Sequence, residues 1–488
     1  MAAAYIDSRK LTTMYETAYN MLRFAVGMLI FRPLWAIHNQ LNDVIYTLFC
    51  LEKYRQQKPC ETFYIIARFK GGSADSARVQ DFFRILRGFE PLSILRDPHW
   101  IMYCIDQNYA YFIKHKNTLR EMQASTHCFI YLDSFQNAQL LARVRLSEFV
   151  KLSETTFASN STRSHYRLHL VVLNSVMRSG STLLAQMLEI PDKIVALSEP
   201  DCFTNLASMA SESLLDQSDI EGALKSMIAK FALEFSNCTG EILLIKPRQN
   251  FGYLMATLKR LFPDAKIIFN FRSLPQYAGN LLVIISAAAN FSDVDKTLAS
   301  LERAMVKTTG PLKFVYYVNM RYCYEFHSFL LKVHPTVVPS RMYPTFFHLV
   351  RPYSLRDFVA YYLIAPIHTT AQDIKHGMSV HIVNYEELLD DADAILAKLF
   401  KFINFPRDSD NLHSSKDYIE ISKLKLERDS QQGTPMSSAS LAMQRIKPFD
   451  TTERKRCDSW CESLGLSSIF AKNNIPPYFY EAFIPGSS

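Results

Sequence analysis

Between residues 168 and 188 an apolar run, LHLVVL, leads through the turn NSVMRSG into STLLAQML, whose apolar residues fall at helical spacing. Such an uninterrupted run is expected of a parallel strand covered on both faces, because an exposed face would need alternating polar residues. Similar runs recur at 242–245, 266–271 and 380–383, with helical stretches between them. The pattern predicts an α/β fold: a P-loop-like, doubly wound parallel sheet flanked by helices.

The turn itself predicts chemistry. Gly180 allows a backbone conformation closed to other residues and lets the chain approach a ligand closely. The first helical turn then presents unpaired N–H groups and the positive end of the helix dipole to one point, a site suited to phosphate. Ser179, Ser181 and Thr182 supply hydroxyls and Leu183 a further main-chain donor, while Arg178 brings a permanent charge with a bidentate grip. The competing explanation is an ordinary strand-to-helix turn with a Ser cap. A Walker A loop is excluded, since the second glycine and the Gly-Lys-Ser/Thr ending are missing.

Composition narrows the partners. A net charge of +7 over 54 basic residues is too dilute for a nucleic-acid surface, and fits a small anionic ligand gripped by a few placed cations. Nine scattered cysteines form no disulfide framework. Cys457 and Cys461 could share a helix face, but two sulfurs make no zinc site, and no metal is expected. The apolar stretch 24–31, flanked by Arg23 and Arg32, is too short to span a bilayer. Burial of an amphipathic helix is favoured there over membrane contact through residues 20–50. A soluble, cytoplasmic protein is the expectation, with Golgi or membrane association as the alternative.

Residues 1–152 read as an N-terminal extension, helical through 11–58 and then α/β. Strands are expected at 62–69, 100–105 and 128–132, with helices at 78–89 and between the last two strands. Lys70-Gly71-Gly72-Ser73 reads as a turn. The polar stretch 153–165 is the natural linker, 408–442 is Ser-rich and reads as a long mobile loop, and 476–488 as a tail.

Over residues 166–475 the chain resembles the sulfotransferase family, whose donor is 3′-phosphoadenosine 5′-phosphosulfate (PAPS). MRSGSTLL at 177–184 is similar to the loop for the 5′-phosphosulfate, in the Arg-bearing form of carbohydrate-type and many bacterial members. FPDAKIIFNFRSLPQYAGN at 262–280 resembles the strand and turn for the 3′-phosphate, and 380–406 the late strand with its Tyr-Glu-Glu-Leu signature. The resemblance implies that Arg178, Ser179, Gly180, Ser181, Thr182 and Leu183 bind the donor's 5′ end, and Arg272 with Asn280 its 3′-phosphate. The family has Ser where this chain has Asn280, and many soluble members have a catalytic His where it has Arg248. Glu199 matches a Glu-Pro pair of carbohydrate-type members and is the expected general base, with Asp201 as the substitute. Lys246, Arg248 and Arg178 would neutralise charge on the transferring group. Tyr385-Glu386-Glu387-Leu388 reads as structural, its acids suiting a helix N-terminus.

The expected activity is therefore sulfuryl transfer from PAPS to a hydroxyl or amino group of a small molecule or glycan. One alternative is a catalytically degenerate nucleotide-binding or interaction protein; another is a P-loop nucleotide kinase, which lacks its Walker lysine here. The aromatic stretch 310–375 could line an acceptor cleft but more simply fills a core. The histidines from His327 to His381 sit in no motif and read as structural.

Overall fold

The computed structural model describes residues 57–68, 77–122, 129–152, 169–176, 179–190, 193–211, 213–232, 242–272, 355–405, 415–426 and 451–466, with isolated positions between 26 and 44. Arg178, Asn280, the segment 310–354, the 153–165 linker, the turn at Lys70 and the 476–488 tail lie outside the described residues.

The first layer is a five-stranded antiparallel sheet of β1 (Cys60–Arg68), β2 (Phe82–Glu90), β3 (Trp100–Ile105), β4 (Tyr109–Lys114) and β5 (Leu140–Arg145), in the order β2-β1-β5-β4-β3. Helices α1 (Ile130–Asn137) and α2 (Leu146–Leu152) flank β5 along the chain. Three expectations fail here. Residues 78–89 form a single 3-10 turn, Val79–Asp81, and then β2, because Phe82, Phe83 and Ile85 suit a strand and β1 supplies the partner. The segment between β3 and α1 holds the strand β4, reached by a tight turn in which Asp106 Oδ1 accepts the N–H groups of Asn108 and Tyr109, both at 2.9 Å. The expected strand at 128–132 is instead the start of α1, an ambiguity that short apolar runs carry. Register explains a buried charge pair in this sheet. Glu61 stands opposite Arg143 across β1 and β5, and Arg143 Nε donates to its carboxylate at 3.1 Å.

The second layer is a five-stranded parallel sheet. Its strands are β6 (His169–Ser175), β7 (Ile194–Ser198), β8 (Ile242–Lys246), β9 (Lys266–Phe271) and β10 (Val380–Asn384), in the order β10-β9-β6-β8-β7. Helix α3 (Ser181–Leu188) follows β6, α4 (Asp201–Ser211) and α5 (Gln217–Ala232) follow β7, and α6 (Met255–Leu261) precedes β9. Helix α7 (Leu355–Lys375) precedes β10, after which come α8 (Tyr385–Asp390), α9 (Ala392–Phe402), α10 (Ser415–Lys423) and α11 (Thr451–Ser463). Helix α10 falls inside the stretch read as loop; it packs on α3 and α9 and buries Tyr418 and Ser422.

Both faces of the parallel sheet are buried, as the continuous apolar runs require. Val171, Leu173, Leu244 and Ile268 face one core, with α3 and α9 against it. Leu170, Val172, Leu243, Ile245 and Phe269 face the other. That second core is continuous with the antiparallel layer through Ile101, Met102, Phe112 and Phe149, so residues 60–152 share their interior with the sheet that follows. Each fully buried aliphatic or aromatic side chain contributes about 1.5–3 kcal/mol. Contact between the layers is close at one crossing: a Cβ added to Gly222 on α5 would lie 2.7 Å from a methyl of Val150 on α2. Among the described residues no helix is long and apolar enough to cross a membrane.

Candidate functional site

In a parallel sheet all carboxyl ends share one edge, and ligands bind where successive connections leave in opposite directions. Here β6 leads towards β7 and β8, while β9 leads the other way to β10. The switch point therefore lies between β6 and β9, neighbours at about 4.8 Å. The turn after β6 and Arg272, the residue following β9, stand on either side of it.

The described part of the turn resumes at Ser179. Gly180 is left-handed, with φ 79° and ψ 13°, and directly precedes α3. It contributes no capping side chain, so the first N–H groups of this eight-residue helix are left for another acceptor. Leu184 N–H already bonds Gly180 O at 3.0 Å and opens the regular helix. A Cβ at Gly180 would collide with the Tyr385 ring, so conformation and space both demand glycine. The loop is stitched to β9 by Asn270. Its carbonyl accepts Val176 N–H at 3.0 Å, and its amide nitrogen donates to Ser179 O at 2.9 Å. Ser179 Oγ donates back to Val176 O at 2.8 Å, so that hydroxyl is spent on the loop itself. Ser181 and Thr182 are buried at the helix start.

Arg272 lies over the Tyr385 ring, with its guanidinium carbon 4.5 Å from the centroid, and its Nε is 3.4 Å from Glu386 Oε1. Asn384 caps α8 by accepting Glu386 N–H at 3.0 Å. Tyr385 thus sits between the loop glycine and Arg272. It does structural work, as its motif suggested, but at the site. Asn270 and this placement of Tyr385 escaped sequence reasoning. An asparagine inside the apolar run KIIFNF was the available signal.

A second cluster occupies the same edge at β7 and β8. Glu199, just after β7, has φ 55°, a left-handed backbone in a residue that rarely adopts one. Its N–H donates to Lys246 O at 2.7 Å, and its Oε1 accepts a short hydrogen bond from Lys246 Nζ. Arg248 Nε lies 3.6 Å from Glu199 Oε2 and 2.9 Å from Asp201 Oδ1. Asp201 Oδ2 also accepts the N–H of Ala77, at 2.6 Å, from the antiparallel layer. That layer supplies two rings as well: Tyr131 lies 4.1 Å from the Arg248 guanidinium carbon, and Phe129 lies 6.0 Å from Lys246 Nζ. Neither ring was anticipated from sequence. The structure therefore brings Glu199, Lys246, Arg248 and Asp201 together. Strand order sets Lys246 and Arg248, at the end of β8 and just after it, one strand spacing (about 5 Å) from the β6 turn along the edge, and Glu199 and Asp201, after β7, two spacings (about 10 Å) away.

Among the described residues no three His, Cys, Asp or Glu side chains converge on a possible metal position. His376 Nδ1 contacts Gln372 O at 2.7 Å and His381 packs on Phe402, both in helix and sheet packing rather than at this edge.

Searches against protein-family models and against curated proteins return no match. Among solved structures the chain is similar to a sulfotransferase domain from the curacin biosynthetic pathway, at 12% identity and TM-score 0.27, over 62% of this chain and 99% of that one. It is similar to the sulfotransferase domain of the Synechococcus PCC 7002 olefin synthase at 15% identity and TM-score 0.27, over 62% and 96%. A sulfotransferase from Mycobacterium tuberculosis H37Rv matches at 11% identity and TM-score 0.28, over 57% and 80%.

Proposed function

We propose that the chain is a PAPS-dependent sulfotransferase, with residues 166–475 as its donor-binding domain and a hydroxyl or amino group of a small molecule or glycan as acceptor. The observation that carries this reading is the convergence at the switch point. An uncapped helix start opened by a left-handed glycine faces the same tyrosine ring as Arg272. A ligand with an anionic group at each of two places, as PAPS has, fits that pair of features better than one with a single phosphate chain. The N–H groups from Gly180 to Leu183, with Arg178 and the loop that Ser179 shapes, would hold the 5′-phosphosulfate, and Arg272 with Asn280 the 3′-phosphate.

PAPS supplies the sulfuryl group. The acceptor oxygen or nitrogen bonds to sulfur as the bond from sulfur to the 5′-phosphate oxygen breaks. The acceptor's proton goes to a base, and 3′,5′-adenosine bisphosphate leaves. Lys246 and Arg248 are the cations for charge gathering on that bridge. Glu199 is the carboxylate paired with both of them, and Asp201 is held by Ala77 and Arg248. Cations hold both oxygens of Glu199, so an acceptor must displace one of them before its proton can transfer.

That same pairing favours a second reading, in which the cluster is structural and the chain binds nucleotide without transferring sulfuryl. Thermal-shift titration tests the first step. A ligand that binds only the native state raises its apparent stability by about 2.7 kcal/mol at a hundred times its dissociation constant. Stabilisation by 3′,5′-adenosine bisphosphate but not by ATP with magnesium supports the donor site, and the reverse result replaces it with a kinase. Tight binding with no sulfuryl transfer across a broad acceptor panel selects the second reading.

A further inference from the structure

The cations beside Glu199 do not stand in the parallel-sheet layer alone. Arg248 lies over Tyr131, whose ring centroid is 4.1 Å from the guanidinium carbon, and Lys246 Nζ lies 6.0 Å from the Phe129 ring. The two rings touch each other, with centroids 5.6 Å apart, so an aromatic pair from the antiparallel layer covers a cation pair from the parallel one. Both rings are buried: Phe129 precedes α1 and Tyr131 lies in its first turn. The same layer reaches the cluster a second time through the Ala77 N–H on Asp201, whose Oδ1 lies 2.9 Å from Arg248 Nε and whose Oδ2 accepts from Arg248 Nη2 at 3.5 Å.

We propose that residues 77–122 and 129–137 complete the site, with Tyr131 as the positioning residue for Arg248. The ring covers the guanidinium group from one side, and Asp201 anchors it by an ion pair and a hydrogen bond. Together they aim Arg248 at Glu199, 3.6 Å away. What Arg248 does for a substrate rests on the sulfotransferase reading, whereas the positioning does not.

The test uses the full-length protein with Tyr131→Phe, Tyr131→Leu and Tyr131→Met. Modification of Arg248 by phenylglyoxal is followed by peptide mass spectrometry, alongside the unfolding midpoint and binding of 3′,5′-adenosine bisphosphate. Tyr131→Phe keeps the ring and should match the wild type. Tyr131→Leu should speed modification of Arg248 about two- to thirty-fold, the span of a ring–guanidinium contact, while the exposed Arg260 reacts at an unchanged rate. If Tyr131→Leu shows no cooperative unfolding, Tyr131→Met fills the space with a more adaptable chain and gives the same comparison. Unchanged Arg248 reactivity in a folded ring-less variant overturns the proposal, as does Tyr131→Phe behaving like Tyr131→Leu. A wild type that does not bind the bisphosphate, yet shows the expected reactivity pattern, overturns the sulfotransferase reading and supports the positioning role.

Discussion

Glu199 holds a left-handed backbone at an energy cost of roughly 1–2 kcal/mol, and its N–H and carboxylate both grip Lys246, which offsets that cost. Lys246 is almost wholly buried, so Glu199→Gln leaves a cation short of its counter-charge. The variant should lose about 1–3 kcal/mol in chemical denaturation, and Glu199→Gln with Lys246→Met should regain most of it, because removing both partners leaves no orphaned charge. A variant with full stability but transfer slowed by roughly two to four orders of magnitude would instead mark a dedicated base. Arg272 makes a separate prediction. Arg272→Ala should abolish the preference for 3′-phosphorylated adenosine nucleotides over AMP, measured by calorimetric titration, since a charge-assisted pair contributes about 1.5–3 kcal/mol. Wild type without any such preference would remove PAPS from consideration.

Helix α5 meets α2 at Gly222, where any Cβ crowds a methyl of Val150. Gly222→Ala gains helix propensity but must part the two layers, so a net loss of about 1–3 kcal/mol is expected by urea denaturation. Gly222→Ala with Val150→Ala should recover part of it. At this scale the parallel layer was legible in the sequence. Its strands are buried on both faces, and the runs at 168–173, 242–245, 266–271 and 380–383 match β6, β8, β9 and β10 to within two residues. The antiparallel layer was less so. Its β2 mixes polar and apolar residues and its β4, YAYFIK, is a short apolar run that periodicity alone does not tell from a helix, so pairing with β1, β3 and β5 decides both. The site divided in the same way. Gly180, Glu199, Lys246, Arg248 and Arg272 lie beside strand ends and announce themselves. Tyr131, Phe129 and Asn270 matter through contacts with residues far along the chain, which no spacing rule encodes.

The molecule as a whole carries an unusual pH signature on α7. Burial pushes the Asp373 carboxyl up to about 7, against the opposing pull of His376. An unfolded carboxyl titrates near 3.9. Between about pH 4 and 7 the folded state therefore keeps a proton that the unfolded chain has lost, so this group makes stability fall as pH rises and then level off above 7. Burial pushes His381 down to about 4, which gives the opposite slope between pH 4 and 6.5. Asp373→Asn isolates the first effect. Relative to wild type its stability should be unchanged near pH 4 and greater by roughly 1–4 kcal/mol at pH 8, read from urea midpoints. A constant difference across that range would show that Asp373 is ionised in the native state.

The position of β6 also fixes a schedule. It is the central strand of the parallel sheet, yet both its neighbours come later in the chain, and the carbonyl and amide that clasp its turn belong to Asn270. A ribosome making this protein releases the turn well before the residue that shapes it. No nascent chain shorter than about 271 residues plus the exit tunnel can clasp that turn, so the loop takes its shape only after β9 has emerged. The antiparallel layer, complete by residue 145, has meanwhile already emerged and offers the apolar floor on which the later strands assemble.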